Sequence, residues 1–345
     1  ISQSTSGATV GRGGVLSIDK RGALGTGLPD VEFTLFGYAT GDLPGNPTIP
    51  IRRIITDKNG KLNMRVIPKG TYVLEETRLP LKPKDNPDDP DVVDDYYTEY
   101  LTKYLVVVDY NSENKLVPTV TLLGDNGEPG GEAIDITEGL LIRNLTDEEN
   151  RTEIEATKTW VGGFSDDYKA VELTLYANGV AIDNDIIKPN IEPEDDGHST
   201  YTYTWSDLPV KDEKENAITY TVDEETVPGY KKDVDQEKLA VTNAYIVTAS
   251  KTWENGRWVL PKPAVWLQLW RQIGEEGTPE LVPDVLPLEL PNPPTYSGNN
   301  GTATVTWTGV DAENVGGAPY IFTVKEGTYS EVEGVWVFTE STPEN

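Results

Sequence analysis

The stretch Ile154-Glu155-Ala156-Thr157-Lys158-Thr159-Trp160 decides the fold class, because apolar and polar residues alternate along it as they do in a half-buried β-strand. Side chains of a strand point to opposite faces in turn, so Lys158 shares a face with Ile154, Ala156 and Trp160. The pattern returns as Ser250-Lys251-Thr252-Trp253, and a related version, Leu16-Ser17-Ile18-Asp19-Lys20, lies near the start of the chain. The sequence therefore places a lysine on the apolar face of a strand three times.

Alternating runs rich in Val, Thr, Tyr and Trp recur along the whole chain, which is typical of strands. Asn-Gly pairs, which favour tight turns, begin at residues 59, 126, 178, 255 and 300. No segment shows a sustained apolar period of 3.6 residues, so we predict an all-β protein. The further predicted strands are Val31–Phe36, Tyr72–Glu76, Leu105–Tyr110, Val171–Tyr176, Ser199–Trp205, Val265–Trp270 and Thr302–Trp307.

Internal repetition predicts three tandem domains. We name them module one (residues 1–149), module two (150–245) and module three (246–345). Module one is longer because it carries an acidic insertion over about residues 80–135. The linkers at 146–152 and 244–247 are short, and short linkers restrict the angles between domains. We therefore predict three β-sandwiches arranged as an elongated rod.

The composition excludes several classes of function. The 345 residues contain 58 Asp and Glu against 29 Lys and Arg, giving a net charge of −29, which repels nucleic acids and anionic membrane surfaces. There is no cysteine, so disulfides and cysteine-ligated zinc are excluded. With His198 as the single histidine, no catalytic triad can be built. We predict no turnover enzyme, no cofactor and no metal site.

Each module also places a glutamate on the apolar face of a later strand: Glu76, Glu224 and Glu326. In modules one and two, an asparagine follows on the apolar face of the closing strand, Asn144 and Asn243 respectively. Burying a charged lysine is costly unless a partner neutralises it. The repetition of this costly arrangement in successive modules indicates chemistry rather than chance.

The chemistry that fits these residues is a self-formed amide, an isopeptide bond, from Lys20 to Asn144 and from Lys158 to Asn243. Burial lowers the pKa of a lysine and raises that of a glutamate, which favours a neutral nucleophilic amine beside a protonated carboxyl. We predict that the glutamate relays protons while ammonia leaves, once per bond. Because each bond would join the first and last strands of a module, a pull on the termini would load a covalent bridge.

The asparagine partner of Lys251 in module three has two alternatives. Asn345 follows Glu326 by 19 positions, the spacing that also separates Asn243 from Glu224. However, the residues before Asn345 read Ser-Thr-Pro-Glu and lack the apolar alternation of a closing strand. We therefore favour a module that is cut short before its last strand, with its asparagine beyond residue 345.

With these residues in place, the chain resembles the B-type repeat domains of collagen adhesins (CnaB-like) and the related SpaA-type pilin domains of Gram-positive bacteria. The matching motifs are SIDK, TKTW and SKTW for the lysine strand, YVLEET, YTVDEETVPGY and FTVKEGT for the glutamate strand, and LAVTN and LLIRN for the asparagine strand. The resemblance implies prealbumin-like or inverse immunoglobulin-like β-sandwiches, intramolecular isopeptide bonds and a role in a stalk or pilus on the cell wall.

We therefore expect an extracellular structural stalk that contacts other pilin subunits or wall peptidoglycan through parts outside this chain. One alternative is an adhesin module that binds a host matrix protein or glycan through the insertion at 80–135, which contains Tyr96, Tyr97 and Tyr100. A second alternative is a glycan-active enzyme, but no motif fixes the pair of carboxylates that it needs. The run Asp85–Asp95 is interpreted as a solvated acidic loop in preference to a calcium site.

Overall fold

A computed structural model describes residues 13–37, 49–78, 103–124, 127–194, 199–254 and 264–341 of the chain. Within these ranges the regular structure consists of β-strands and two 3-10 helices, Glu148–Asn150 and Ser165–Asp167. The all-β prediction is confirmed.

Nine strands lie in module one and form two sheets, with strand orders β4-β1-β9 and β3-β2-β5-β6-β7-β8. The alternation read from the sequence sets the burial of β1, where Leu16 and Ile18 face the core and Val15 is exposed. The strands are β1 (Gly14–Arg21), β2 (Glu32–Gly37), β3 (Ile49–Ile55), β4 (Lys61–Ile67), β5 (Gly70–Arg78), β6 (Lys103–Tyr110), β7 (Leu116–Leu123), β8 (Pro129–Ile134) and β9 (Leu140–Arg143).

Part of the predicted insertion at 80–135 belongs to the sheet itself. Strand β6 pairs with β5, β7 pairs with β6, and β8 pairs with β7, all antiparallel. Val106, Val108 and Val120 from this segment are buried in the core of module one. The acidic run Asp85–Asp95 and the tyrosines at 96, 97 and 100 lie outside the described residues.

The first and last strands of module one are parallel neighbours. Ile18 of β1 lies opposite Leu140 of β9, and Lys20 lies opposite Ile142. Two parallel strands can be joined only by a long connection, and in module one this connection consists of the chain between β1 and β9. Consequently, side chains that are far apart in the sequence meet on one face at the junction of β1 and β9.

The remaining strands lie in modules two and three, with sheet orders β13-β14-β10-β17-β22-β21, β12-β11-β15 and β19-β18-β23-β24; β16 also pairs with β17, and β20 with β18. They are β10 (Arg151–Val161), β11 (Leu173–Ala177), β12 (Val180–Ala181), β13 (Asn190–Pro193), β14 (Thr200–Pro209), β15 (Tyr220–Glu224), β16 (Tyr230–Asp235), β17 (Ala240–Trp253), β18 (Trp266–Ile273), β19 (Glu280–Leu281), β20 (Leu288–Glu289), β21 (Thr295–Ser297), β22 (Asn300–Thr308), β23 (Tyr320–Val332) and β24 (Val335–Glu340).

Two local predictions are wrong. Residues 244–247, predicted as a linker, lie inside the continuous strand β17, because the backbone there is paired: Ile246 N–H donates to Gly229 O and Gly309 N–H donates to Tyr245 O. The Asn-Gly pair at Asn300 begins strand β22 instead of forming the turn, since Asn300 already pairs with Ser297.

Backbone contacts divide the chain into two compact units. One comprises Ile1–Ile154, Tyr176–Pro189 and Trp205–Tyr220, and the other comprises Glu155–Leu175, Asn190–Thr204 and Thr221–Asn345. The second unit has an apolar core that includes Leu267, Leu269 and Trp307. The division into three modules and the rod shape remain predictions.

Candidate functional sites

Module one brings Lys20, Glu76 and Asn144 together in its core. Lys20 and Asn144 are completely inaccessible to solvent. The Lys20 Nζ lies 2.8 Å from Glu76 Oε2 and donates a hydrogen bond to Asn144 Oδ1. Asn144 Nδ2 in turn donates to Glu76 Oε1 at 3.0 Å. The three predicted side chains therefore form one closed, buried cluster.

The backbone around Lys20 fixes its position. Its N–H donates to Gly60 O at 2.7 Å, and its carbonyl accepts from Leu28 N–H at 2.9 Å. Gly60 has a φ of +76°, and a Cβ there would lie 2.1 Å from the Lys20 carbonyl oxygen. Only glycine fits at this approach, so the Asn59-Gly60 turn, which leads into β4, lets the chain pack closely against the lysine strand.

The geometry of this cluster suits amide exchange. One oxygen of Glu76 contacts the amine that would attack, and the other contacts the amide nitrogen that would leave. A carboxyl group placed in this way can accept a proton from Nζ and deliver one to Nδ2. Burial lowers the pKa of Lys20, although the charge of Glu76 opposes this effect. Desolvation therefore favours the neutral, nucleophilic form of the amine.

Module two buries the same three residue types. Lys158 and Asn243 are completely inaccessible, and Glu224 is buried. Lys158 Nζ lies 3.5 Å from Glu224 Oε1. Within the described ranges, neither Oδ1 nor Nδ2 of Asn243 makes a hydrogen bond of normal geometry. A buried amide without well-formed hydrogen bonds is costly in a native protein, and conversion of this amide into an isopeptide would account for it.

Electrostatics in module two match the predicted roles. Burial lowers the pKa of Lys158 to about 8, although the neighbouring Glu224 carboxylate acts in the opposite direction. Burial also raises the pKa of Glu224, and the charge of Lys158 only partly offsets this. Both shifts favour a neutral amine next to a protonated carboxyl.

Modules one and two use the same strand register. Lys158 of β10 lies opposite Val241 of the parallel strand β17, and Asn243 is two residues beyond Val241. Lys20 lies opposite Ile142, and Asn144 is likewise two residues beyond. Because side chains alternate along a strand, an offset of two returns the asparagine to the face of the lysine.

Module three has only part of this arrangement among the described residues. Lys251 Nζ lies 2.5 Å from Glu326 Oε2, but the two side chains are 27% and 39% exposed. Asn345 lies outside the described residues, so the structure leaves both alternatives for the partner of Lys251 open.

The lysines of modules two and three each lie beside a tryptophan ring. The Nζ of Lys158 lies 4.2 Å from the ring centroid of Trp160, and that of Lys251 lies 5.6 Å from Trp253. A ring face favours the cationic form of the amine and shields it from water. Each tryptophan follows its lysine by two positions, so strand alternation places the ring on the face of the lysine.

Comparison with known families identifies the domains. Residues 154–244 match the Cna protein B-type domain family, and residues 14–82 match the SpaA family, a prealbumin-like fold domain. The chain therefore carries domains of the type found in Gram-positive pilins and adhesins, as predicted from its motifs. These families are structural, and the chain is a structural protein and not an enzyme.

Solved structures that match the chain include three pilins. The major pilin subunit BcpA of Bacillus cereus is 12% identical, with 96% of this chain and 93% of that chain covered and a TM-score of 0.24. The major pilin SpaD of Corynebacterium diphtheriae is 13% identical, with coverages of 97% and 93% and a TM-score of 0.21. The shaft pilin SpaA of Lactobacillus rhamnosus GG is 15% identical, with coverages of 67% and 98% and a TM-score of 0.20.

TM-scores this low mean that the whole chains do not superpose, so these similarities carry no weight for function. No curated protein sequence matches the chain significantly. In the described ranges, no helix is long and apolar enough to cross a membrane. The same ranges contain no cluster of three or more His, Cys, Asp or Glu side chains that could hold a metal ion.

Proposed function

We propose that this chain is a load-bearing segment of a bacterial surface pilin or adhesin, stabilised by isopeptide bonds from Lys20 to Asn144 and from Lys158 to Asn243. The observation that carries the proposal is the buried Lys, Glu and Asn cluster that occurs in two modules at the same register. Its location would be the cell surface, and its partners would be other pilin subunits or the cell wall.

The bond forms by exchange of one amide for another. The lysine Nζ attacks the asparagine Cγ, the Cγ–Nδ2 bond breaks, and ammonia leaves. Glu76 or Glu224 carries a proton from Nζ to the departing nitrogen, so the carboxyl group ends in its starting state. Holding the three groups in contact gives the reaction a high effective concentration, and no cofactor is needed.

Intact mass under denaturing conditions tests this proposal. Each bond removes one ammonia, about 17 Da, and unfolding does not restore it. We expect a deficit of at least two ammonias, assigned by peptide mapping to the pairs Lys20–Asn144 and Lys158–Asn243. A chain with its full calculated mass would refute the proposal.

A further inference from the structure

The tryptophan beside Lys158 is itself packed between two tyrosines. Trp160 is buried, and its ring meets the ring of Tyr230 edge to face, with the two centroids 5.0 Å apart. The same ring stacks on Tyr168 with a centroid distance of 6.3 Å. Because Trp160 lies 4.2 Å from the Lys158 amine, the packing of these rings affects how well the amine is shielded from water.

Both tyrosines are held by the loop at 162–168, which directly follows β10. Tyr168 belongs to this loop and donates a hydrogen bond to a carbonyl at its start at 3.0 Å. Tyr230 donates to Asp167 Oδ2 at 2.9 Å. Gly163 approaches Tyr230 so closely that a Cβ would lie 2.2 Å from the hydroxyl oxygen. The position of the loop therefore sets the positions of the rings around the tryptophan.

Module three anchors this loop through backbone hydrogen bonds. Gly163 N–H donates to Val310 O at 2.8 Å, and Ala312 N–H donates to Gly163 O at 2.9 Å. Gly162 adds a close approach, since a Cβ there would lie 2.5 Å from Val310 O. Val310 and Ala312 are buried, and Val310 belongs to the apolar core of module three. The loop of module two is thus fixed to the core of module three, within the second compact unit.

One side chain of module three adds two further hydrogen bonds to the loop. The backbone N–H of Ser165 donates to Glu313 Oε1 at 2.9 Å, and the Ser165 hydroxyl donates to the same oxygen. These hydrogen bonds lower the pKa of Glu313, so the group is a carboxylate at neutral pH. Hydrogen bonds to a charged acceptor are stronger than those between neutral groups. Glu313 therefore strengthens the contact between the loop and module three.

We propose that Glu313 of module three is a positioning residue for bond formation at Lys158 of module two. It holds the loop at 162–168, and the loop keeps the aromatic rings packed around Trp160. This inference rests on the proposed isopeptide chemistry, and the covalent step is unchanged: the Nζ–Cγ bond forms, the Cγ–Nδ2 bond of Asn243 breaks, and ammonia leaves. Module three therefore has to dock before the bond in module two forms at its full rate.

The physical link between the loop and the reaction is desolvation. Burial lowers the pKa of Lys158, and the ring of Trp160 lies against the amine. When the loop moves away, Tyr168 and Tyr230 lose their positions, water reaches the amine, and the amine stays protonated. A protonated amine cannot act as a nucleophile, so the bond forms more slowly.

Module one supplies an internal control. Its Lys20 Nζ lies 6.0 Å from the ring centroid of Phe33, a completely buried residue of β2 in the same module. Loss of the contact at Glu313 should therefore leave formation of the bond between Lys20 and Asn144 unchanged. Both bonds can be followed in one sample, so a general effect on synthesis or folding would also be visible in module one.

Time courses with the freshly synthesised full chain test the inference. Denaturation, proteolysis and mass spectrometry at successive times measure the cross-linked peptides of modules one and two. Glu313→Ala removes both hydrogen bonds from Ser165, so the bond in module two should form roughly fivefold more slowly, while module one keeps its wild-type rate. Gly162→Ala, which blocks the close approach to Val310, should also slow module two alone.

A conservative variant separates the position of the loop from a general effect of charge. Glu313→Gln should restore a rate close to that of the wild type, because the amide oxygen still accepts both hydrogen bonds from Ser165. Asp311→Ala is the matched control, since it removes an exposed acidic side chain from the same segment and leaves the backbone hydrogen bonds of the loop in place. This control should have the wild-type rate.

Hydrogen exchange shows whether the loop has been released. Exchange of the Ser165 and Gly163 N–H groups should be faster in Glu313→Ala than in the wild type. Faster exchange with an unchanged rate in module two would refute the inference and leave the proposed function intact. Unchanged exchange would refute the role of Glu313 in holding the loop. A wild-type chain that forms neither bond would refute both the inference and the proposed function.

Discussion

At the scale of the residue, the two buried lysines differ in how closely their partners approach. Lys20 contacts Glu76 at 2.8 Å and also hydrogen-bonds Asn144, whereas Lys158 lies 3.5 Å from Glu224 and close to the ring of Trp160. Both arrangements remove the amine from water, and it is this desolvation that makes a lysine reactive at neutral pH.

Lys158→Arg should prevent one bond, because arginine keeps its charge and cannot act as the nucleophile. The expected mass deficit of Lys158→Arg is one ammonia smaller than that of the wild type. Glu224→Gln should show the same smaller deficit. Intact mass measures both. Lys238→Arg is the control, since Lys238 is exposed and forms a surface ion pair with the nearby Asp235; this variant should have the wild-type deficit. Loss of an ammonia by Lys158→Arg at module two would contradict the assignment.

The rate of bond formation in module two should depend on pH with a fall above about 8. In the reactive state the pair carries a single proton, which sits on Glu224 while the Lys158 amine is neutral. Because the pKa of Lys158 is about 8, the pair loses this last proton at higher pH. Below the raised pKa of Glu224, both groups are protonated and the amine is not nucleophilic.

Time courses of ammonia loss in freshly synthesised Lys20→Arg chain would measure this profile. We expect a bell shape, with the alkaline limb near pH 8 falling roughly tenfold per pH unit, as for loss of a single proton. A rate that instead rises through pH 8 would show that a neutral amine suffices and that Glu224 supplies no proton.

At the scale of the element, the single strand β17 belongs to two modules. Its first half, up to Ala244, closes module two beside β10, and its second half opens module three beside β22. A single strand therefore carries Asn243 of one site and Lys251 of the next. The face of a strand alternates with each residue, so the even separation of these two positions keeps both side chains on one side.

Val222 and Val324 occupy equivalent positions in modules two and three, and truncating each tests whether the apolar face of module three is exposed to solvent. Val222→Ala removes a completely buried side chain and should lower the free energy of unfolding by about 2 kcal/mol. Val324→Ala changes a side chain that is 41% exposed and should lower it by less than about 0.5 kcal/mol. Urea unfolding followed by tryptophan fluorescence measures both. Equal losses would show that Val324 is covered in solution.

At the scale of the whole molecule, the position of each bond decides how the chain carries force. In module one, the two residues that we propose to be bonded are 124 positions apart; Lys20 lies on β1, and Asn144 directly follows the parallel neighbour β9. With that bond in place, tension on the termini would pass from β1 to β9 through the covalent bridge, and the hydrogen bonds of the strands between them would carry no load.

Stretching single molecules should show this directly. Lys20→Arg should release the chain between Lys20 and Asn144, which are 124 positions apart, and so add roughly 400 Å of extension at about 3.4 Å per residue. The wild type should lack this step at every force below that of covalent rupture. Lys61→Arg, which changes an exposed lysine in the same module, is the control and should extend as the wild type does. A wild type that shows the full step would exclude the bond.

Strand alternation was enough to predict the all-β fold and the burial of Lys20, Lys158 and Asn144, because the faces of a strand are set by local geometry. The continuous strand at 244–247 could not be predicted, since its pairing comes from Gly229 and Gly309, which are remote in sequence. The same holds for β6 to β8, whose place in the sheet depends on pairing with β5.

The sequence by itself determined which residue types occupy the apolar faces and at what spacing, because this depends only on the two-residue period of a strand. Only the tertiary structure decided that first and last strands are parallel neighbours and that Glu76 contacts both nitrogens of its site. It alone distinguished the enclosed pair in module two from the exposed pair in module three. The physical reason is that burial and contact depend on which strands pair, and pairing is a property of the folded sheet.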